Sequence, residues 1–122
     1  MTTDDTYNGY TNRETWALNL VLNNDQGLQE MTAERVADAL ATLTPYDWST
    51  PITDARRAEY YARARVTVAG DAVKELWEEL TDPAETDLAE IISLLDAVGS
   101  AWRIDWRDIG QSWVTDLAEQ ED

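Results

Sequence analysis

Apolar residues recur every three or four positions along most of this chain, in stretches separated by helix caps and breakers, and that spacing commits it to helices. In TNRETWALNLVLNND, Thr11 reads as an N-cap with Glu14 three positions on, a capping box that satisfies two otherwise orphaned backbone N–H groups. Trp16, Ala17, Leu20, Val21 and Asn24 follow at helical spacing, and Gly27 suits the stop. A second helix is expected over about residues 33–43, with Val36, Ala37, Leu40 and Leu43 as its stripe; residues 28–32 are either a connector or its start. Residues 44–53 (TPYDWSTPIT) hold two prolines and form the clearest loop. Thr53 is placed to cap a third helix through Tyr60, Tyr61, Ala64 and Val68, with Gly70 as a break or a weak point. The β-branched run Val66-Thr67-Val68 is too short, and too alone, to build a sheet.

From residue 71 to 81 the pattern resumes with Val73, Leu76, Trp77 and Leu80. Asp82-Pro83 then breaks it, with Pro83 suited to the first position of a new helix and Glu85 completing a capping box. Leu88, Ile91, Ile92, Leu95 and Val98 make that helix the most apolar, ending near Gly99. In IDWRDI, Asp105 reads as an N-cap, Asp108 lies in the first turn, and Ile104 and Ile109 are spaced as a hydrophobic staple; Trp113 and Leu117 continue the stripe. The expected architecture is all-α: a single-domain bundle of five or six helices over residues 11–122, preceded by a flexible N-terminal arm, residues 1–10, that Tyr7 and Tyr10 could pin.

At 122 residues and 43% hydrophobic content, the chain can bury about two-thirds of its unfolded surface as one domain. No apolar run approaches the roughly 20 residues that span a bilayer. The opening MTTDDTYNGY has no apolar core of a secretory signal, and the lack of Cys fits a cytoplasmic setting. Without Cys or His, thiolate and imidazole zinc sites and Ser-His or Cys-His nucleophiles are excluded. Carboxylates, Lys74, hydroxyls and Tyr remain as proton carriers, but nothing singles out two acids as a catalytic pair. The chain is therefore read as a non-enzyme, with no cofactor and no metal.

Charge is the other strong signal, at a formal −16. Residues 1–30 contribute five acids and one Arg, residues 31–65 five of each, and residues 66–122 fifteen acids against Lys74, Arg103 and Arg107, or −4, 0 and −12. Such a field repels duplex DNA and anionic membranes and attracts basic surfaces. Asp71, Glu75, Glu78, Asp82 and Glu85 are spaced 4, 3, 4 and 3, one side of a continuous helix; Glu79, Asp87 and Glu90 widen the patch. Carboxylates one turn apart lie about 5.4 Å apart, the same order as the roughly 3.4 Å between phosphates along one DNA strand. That face can imitate a phosphate backbone, or it can be an ordinary solvated side. Like charges at i,i+4 cost a helix about 0.2–0.5 kcal/mol per pair, so crowding eight acids into residues 71–90 needs an offset. A cationic partner supplies one; a high-salt cytoplasm, which screens the repulsion, supplies another.

Of the six Trp, Trp16, Trp77 and Trp113 fall on apolar stripes and are read as core. Trp102 and Trp106, interleaved with Arg103 and Arg107, either close the bundle or form a surface patch with Arg over an indole face. Trp48, in the proline loop, is a candidate interface anchor. The local positive cluster of Arg56, Arg57, Arg63 and Arg65 with Tyr60 and Tyr61 is expected to pair with the acidic half, within the chain or in a neighbouring copy. A homodimer is thus a secondary expectation.

Asn8, Gly9, Tyr10, Thr11, Asn12, Glu14, Thr15 and Trp16 make an NG-aromatic-TN-x-ETW opening, and IDWRDIG forms a second short segment. Both resemble small, mostly uncharacterised proteins of bacteriophages and plasmids, and together they cover roughly a quarter of the chain. The resemblance implies a mobile-element origin and a helical fold, and carries no activity. The reading that results is an accessory protein that inhibits a host defence or DNA-processing protein, of the anti-restriction or anti-CRISPR kind. It would present a DNA-mimicking face of Asp71, Glu75, Glu78, Glu79, Asp82 and Glu85, with Trp48, to a basic nucleic-acid-binding host protein and not to nucleic acid or membrane. The alternative is an acidic structural or assembly protein whose charge is salt adaptation.

Overall fold

The computed structural model describes residues 9–43 and 54–120. The expected loop 44–53, with Thr53 as a cap and Trp48 as an anchor, lies outside them, as does Tyr7. Five α-helices are present among the described residues: α1 (Arg13–Asn24), α2 (Gln26–Ala41), α3 (Asp54–Leu80), α4 (Leu88–Val98) and α5 (Trp106–Gln120), with one 3-10 turn at Ala101–Arg103 before α5. The chain is an all-α domain built around α3, which packs most extensively on α5 and next on α2, while α4 lies chiefly on α1.

Local chemistry explains where the helices start and stop. Asn12, not Thr11, caps α1: its Oδ1 accepts the Thr15 N–H at 2.9 Å. Only Asp25 separates α1 from α2; its extended backbone ends one helix and its Oδ1 accepts the Leu28 N–H at 3.1 Å, opening the next. Gly27 therefore sits inside the first turn of α2 rather than ending α1, and residues 28–32 are helix. After α3, the Asp82 carbonyl accepts N–H groups of Glu85 and Thr86, and its Oδ1 accepts that of Ala84 at 2.9 Å. Residues 82–86 are thus consumed by a turn, so Pro83 does not open α4, which begins at Leu88 after Asp87. Gly99 closes α4 at a φ of 92°, a left-handed conformation that suits glycine, with its N–H on the Leu95 carbonyl at 2.8 Å. The Asp105 cap stands as expected: its Oδ1 accepts N–H groups of Arg107 and Asp108 at 3.1 and 3.2 Å, and Ile104 and Ile109 are both buried.

Gly70 neither breaks nor weakens α3. A Cβ there would lie 2.3 Å from the Trp106 carbonyl oxygen, and one on Gly110 would lie 2.2 Å from the Val66 carbonyl oxygen and 2.6 Å from the Gly70 nitrogen. The two glycines let α3 and α5 cross backbone to backbone, a contact that any side chain would prevent. Around this crossing the core gathers Leu18 and Leu22 of α1, Val36 of α2, Val73 and Trp77 of α3, Leu94 and Val98 of α4, and Ile109 and Trp113 of α5.

Four helices expose residues that the apolar pattern had assigned to the core; in α2 the residue is Ala37. In α1 the buried face is Thr15, Ala17, Leu18, Asn19 and Leu22, so Ala17 is core as expected; Leu20 and Asn24 are exposed, and Trp16 is half-buried instead of core. In α3 it is Val66, Ala69, Val73, Leu76 and Trp77, with Tyr60 exposed. In α4 it is Ile91, Leu94 and Val98, leaving Leu88, Ile92 and Leu95 outside. For α1 the cause is hydrogen bonding. Thr15 Oγ1 donates to Asn12 Oδ1 at 2.7 Å and accepts the Asp105 N–H at 2.9 Å, so a fully buried hydroxyl is satisfied from both ends of the chain. Asn12 Nδ2 donates to the Arg103 carbonyl at 2.7 Å, the Thr11 N–H to Asp108 Oδ2 at 2.7 Å, and Thr11 Oγ1 to Asp105 Oδ2 at 2.8 Å. Asn19 Nδ2 donates to the Tyr10 hydroxyl at 2.6 Å, which fixes Tyr10 against α1.

Candidate functional site

The continuous part of the acidic stripe is the outer side of α3. Asp71, Glu75 and Glu78, at i, i+4 and i+7, are all exposed there, opposite the buried Val73, Leu76 and Trp77. Because α3 ends at Leu80, Asp82 and Glu85 do not extend that helix; they stand exposed on the turn that follows. Between Lys74 and Arg103 the sequence holds no base, so the turn and α4 add Asp87, Glu90 and Asp96, also exposed, to an unrelieved acidic stretch. Among the described residues, the side chains of Asp71, Glu75, Glu78, Glu85, Asp87, Glu90 and Asp96 make neither an ion pair nor a hydrogen bond.

Glu79 differs. Its two oxygens take a forked pair of hydrogen bonds from Arg35 of α2, both 2.7 Å. Hydrogen bonding and charge attraction hold the Glu79 carboxyl below the ordinary carboxylate range, against a smaller desolvation penalty. The same bonds, aided by the field of nearby Glu75, raise Arg35 above its usual value. Glu79 is therefore an internal strut joining α2 to α3, and the free carboxylates lie around it. Arg35 was not singled out from sequence, although it immediately precedes the buried Val36 and so had to flank a helix–helix seam.

Of the basic cluster, Arg63 and Arg65 make their contacts close by in sequence. Arg63 Nη2 donates to Glu59 Oε1 at 2.8 Å, and the Arg65 guanidinium lies 5.8 Å from the Tyr61 ring centre. Both contacts are local to α3; the Arg57 side chain lies outside the described set. Of the remaining indoles, Trp77 and Trp113 are core as expected, Trp106 is half-buried, and Trp102 is 85% exposed. Arg103, beside it, reaches Glu14 at 3.6 Å. Among the described residues no group of three Asp or Glu is arranged to hold a metal ion, and no helix is long and apolar enough to cross a membrane.

Fold and surface together define a small, strongly acidic helical domain whose exposed carboxylates outnumber the bases placed to meet them. The chain belongs to the DUF7249 family, a family of unknown function, whose model matches residues 3–92. That span contains the NG-aromatic-TN-x-ETW opening and ends inside α4; the IDWRDIG segment lies beyond it. No curated protein matches the chain, and no solved structure does.

Proposed function

We propose that this protein is a non-enzymatic accessory protein of a bacteriophage or plasmid that acts in the host cytoplasm. In this reading it inhibits a host defence or DNA-processing protein, of the anti-restriction or anti-CRISPR kind, by occupying a basic nucleic-acid-binding surface. The observation that carries the reading is the unmatched acidic stretch running from α3 through the turn to α4. Asp71, Glu75 and Glu78 supply charge from α3, and Asp82 and Glu85 from the turn. Glu79 serves by holding α2 against α3. Trp48 belongs to the same reading as an anchor.

Affinity capture from host lysate, washed at low and at high salt, tests it. A basic nucleic-acid-binding protein should be recovered at low salt and lost steeply as salt rises, because exposed charge pairs are screened within about 10 Å at 0.1 M. The variant Asp71→Lys/Glu75→Lys/Glu78→Lys should recover nothing while keeping its helical circular dichroism. Recovery that is indifferent to salt contradicts the proposal. No recovery at all, with a melting temperature climbing strongly toward molar KCl, favours salt adaptation instead.

A further inference from the structure

We infer that the flank of α4 carrying Leu88, Ile92 and Leu95 is the apolar centre of the partner interface, and that its occupant is a cationic amphipathic helix of the partner protein. The inference rests on the acidic-face reading above and adds to it the part of the surface that charge cannot explain. The sequence LAEIISLLDAV carries two apolar stripes. Ile91, Leu94 and Val98 (i, i+3, i+7) enter the core, whereas Leu88, Ile92 and Leu95 (i, i+4, i+7) stay 62%, 52% and 41% exposed. Since α4 lies chiefly on α1, these three side chains stand exposed on its other flank.

Single exposed aliphatics are ordinary, but three at helical spacing on one flank of an acidic helix mark an interaction surface. The local charge names the occupant. Asp96 borders the stripe on α4, Glu85 and Asp87 precede its first residue, and no base occurs between Lys74 and Arg103. An anionic lipid surface would be repelled by these carboxylates. A second copy docked stripe to stripe would press the same carboxylates together. A helix with apolar residues at i, i+3 or i+4 and i+7, flanked by Lys or Arg, satisfies both the stripe and its border.

Two synthetic peptides test this: an amphipathic Leu/Lys helix, and a peptide of equal length and charge with each Leu replaced by Ser. Calorimetry should show the Leu/Lys peptide binding at least about tenfold more tightly than the Ser peptide. Leu88→Ser/Ile92→Ser/Leu95→Ser should remove that advantage while leaving the Ser peptide's affinity within about twofold. Leu88→Ser alone, at the most exposed of the three positions, should lose part of it, which guards against a misfolded triple variant. Equal binding of both peptides, unchanged by the substitutions, overturns the inference and leaves the acidic-face reading standing. Failure of both peptides to bind overturns both. Binding to phosphatidylserine vesicles, or a concentration-dependent dimer abolished by the triple variant, would identify a different occupant and overturn the inference.

Discussion

The two ends of this molecule treat polar and apolar groups in opposite ways. Where α1 and α5 meet, polar residues go inward: Thr15 is fully buried and tied to Asn12 and Asp105, and the carboxylates of Asp105 and Asp108 are occupied by Thr11 and by the start of α5. Along outer α3 and α4, carboxylates stand unmatched and large aliphatics face outward. Burying a polar group costs least when it is bonded, as Thr15 is, so the first region is built for stability. The second gains nothing for the isolated fold from its charge or its exposed Leu and Ile. Stability is thus housed in the first region; if the second serves recognition, as proposed, substitutions should separate the two.

The largest effect is expected at the glycine crossing. Gly110→Ala gains about 1 kcal/mol of helix propensity but sets its Cβ against backbone atoms of Val66 and Gly70 that have no side-chain freedom to yield. Overpacking of that kind costs about 1–3 kcal/mol or more, so urea unfolding should show a clear net loss of stability. Equal or greater stability would mean that the helices do not cross there. Next comes Thr15→Val, which keeps the shape but leaves the Asp105 N–H without its acceptor; about 1–3 kcal/mol should be lost.

On the other flank the same measurement should barely move. Leu88→Ser and Glu78→Gln should each stay within about 0.5 kcal/mol of the parent, and a larger loss would show that this face is structural after all. The smallest and most conditional effect belongs to Glu79→Gln. Because folding lowers the Glu79 pKa, its contribution is present above the ordinary carboxylate range and is lost as pH falls through the depressed value. Parent and variant should therefore differ in melting temperature at neutral pH and converge as the pH falls through and below the ordinary carboxylate range; a gap that widens in acid would contradict the Arg35 strut.

Much of the helical architecture was legible in the sequence because caps and breakers act locally. The Asp105 cap with its Ile104–Ile109 staple, and the Gly99 stop, needed no knowledge of the rest of the chain. What escaped was set by distant contacts. Gly70 read as a weak point because its neighbour across space is Gly110, 40 positions on, and nothing local announces that crossing. Thr11 lost its cap role to Asn12 because the C-terminal carboxylates claim it. The α1 face was misread because Thr15 and Asn19 look like surface residues until their bonding partners are in place. For the acidic face, spacing alone located Asp71, Glu75 and Glu78 on one side of a helix. It missed that Arg35 would occupy Glu79 and that α3 would end before Asp82.

The central claim, that the unmatched carboxylates stand in for a phosphate backbone, is tested most directly by competition. A nucleic-acid-binding protein captured from the host would be loaded with fluorescent duplex DNA and titrated with this protein or with Asp71→Lys/Glu75→Lys/Glu78→Lys. The parent chain should release the DNA, and the charge-reversed chain should leave it bound. A ternary complex holding protein and DNA together, or equal release by both chains, would contradict it.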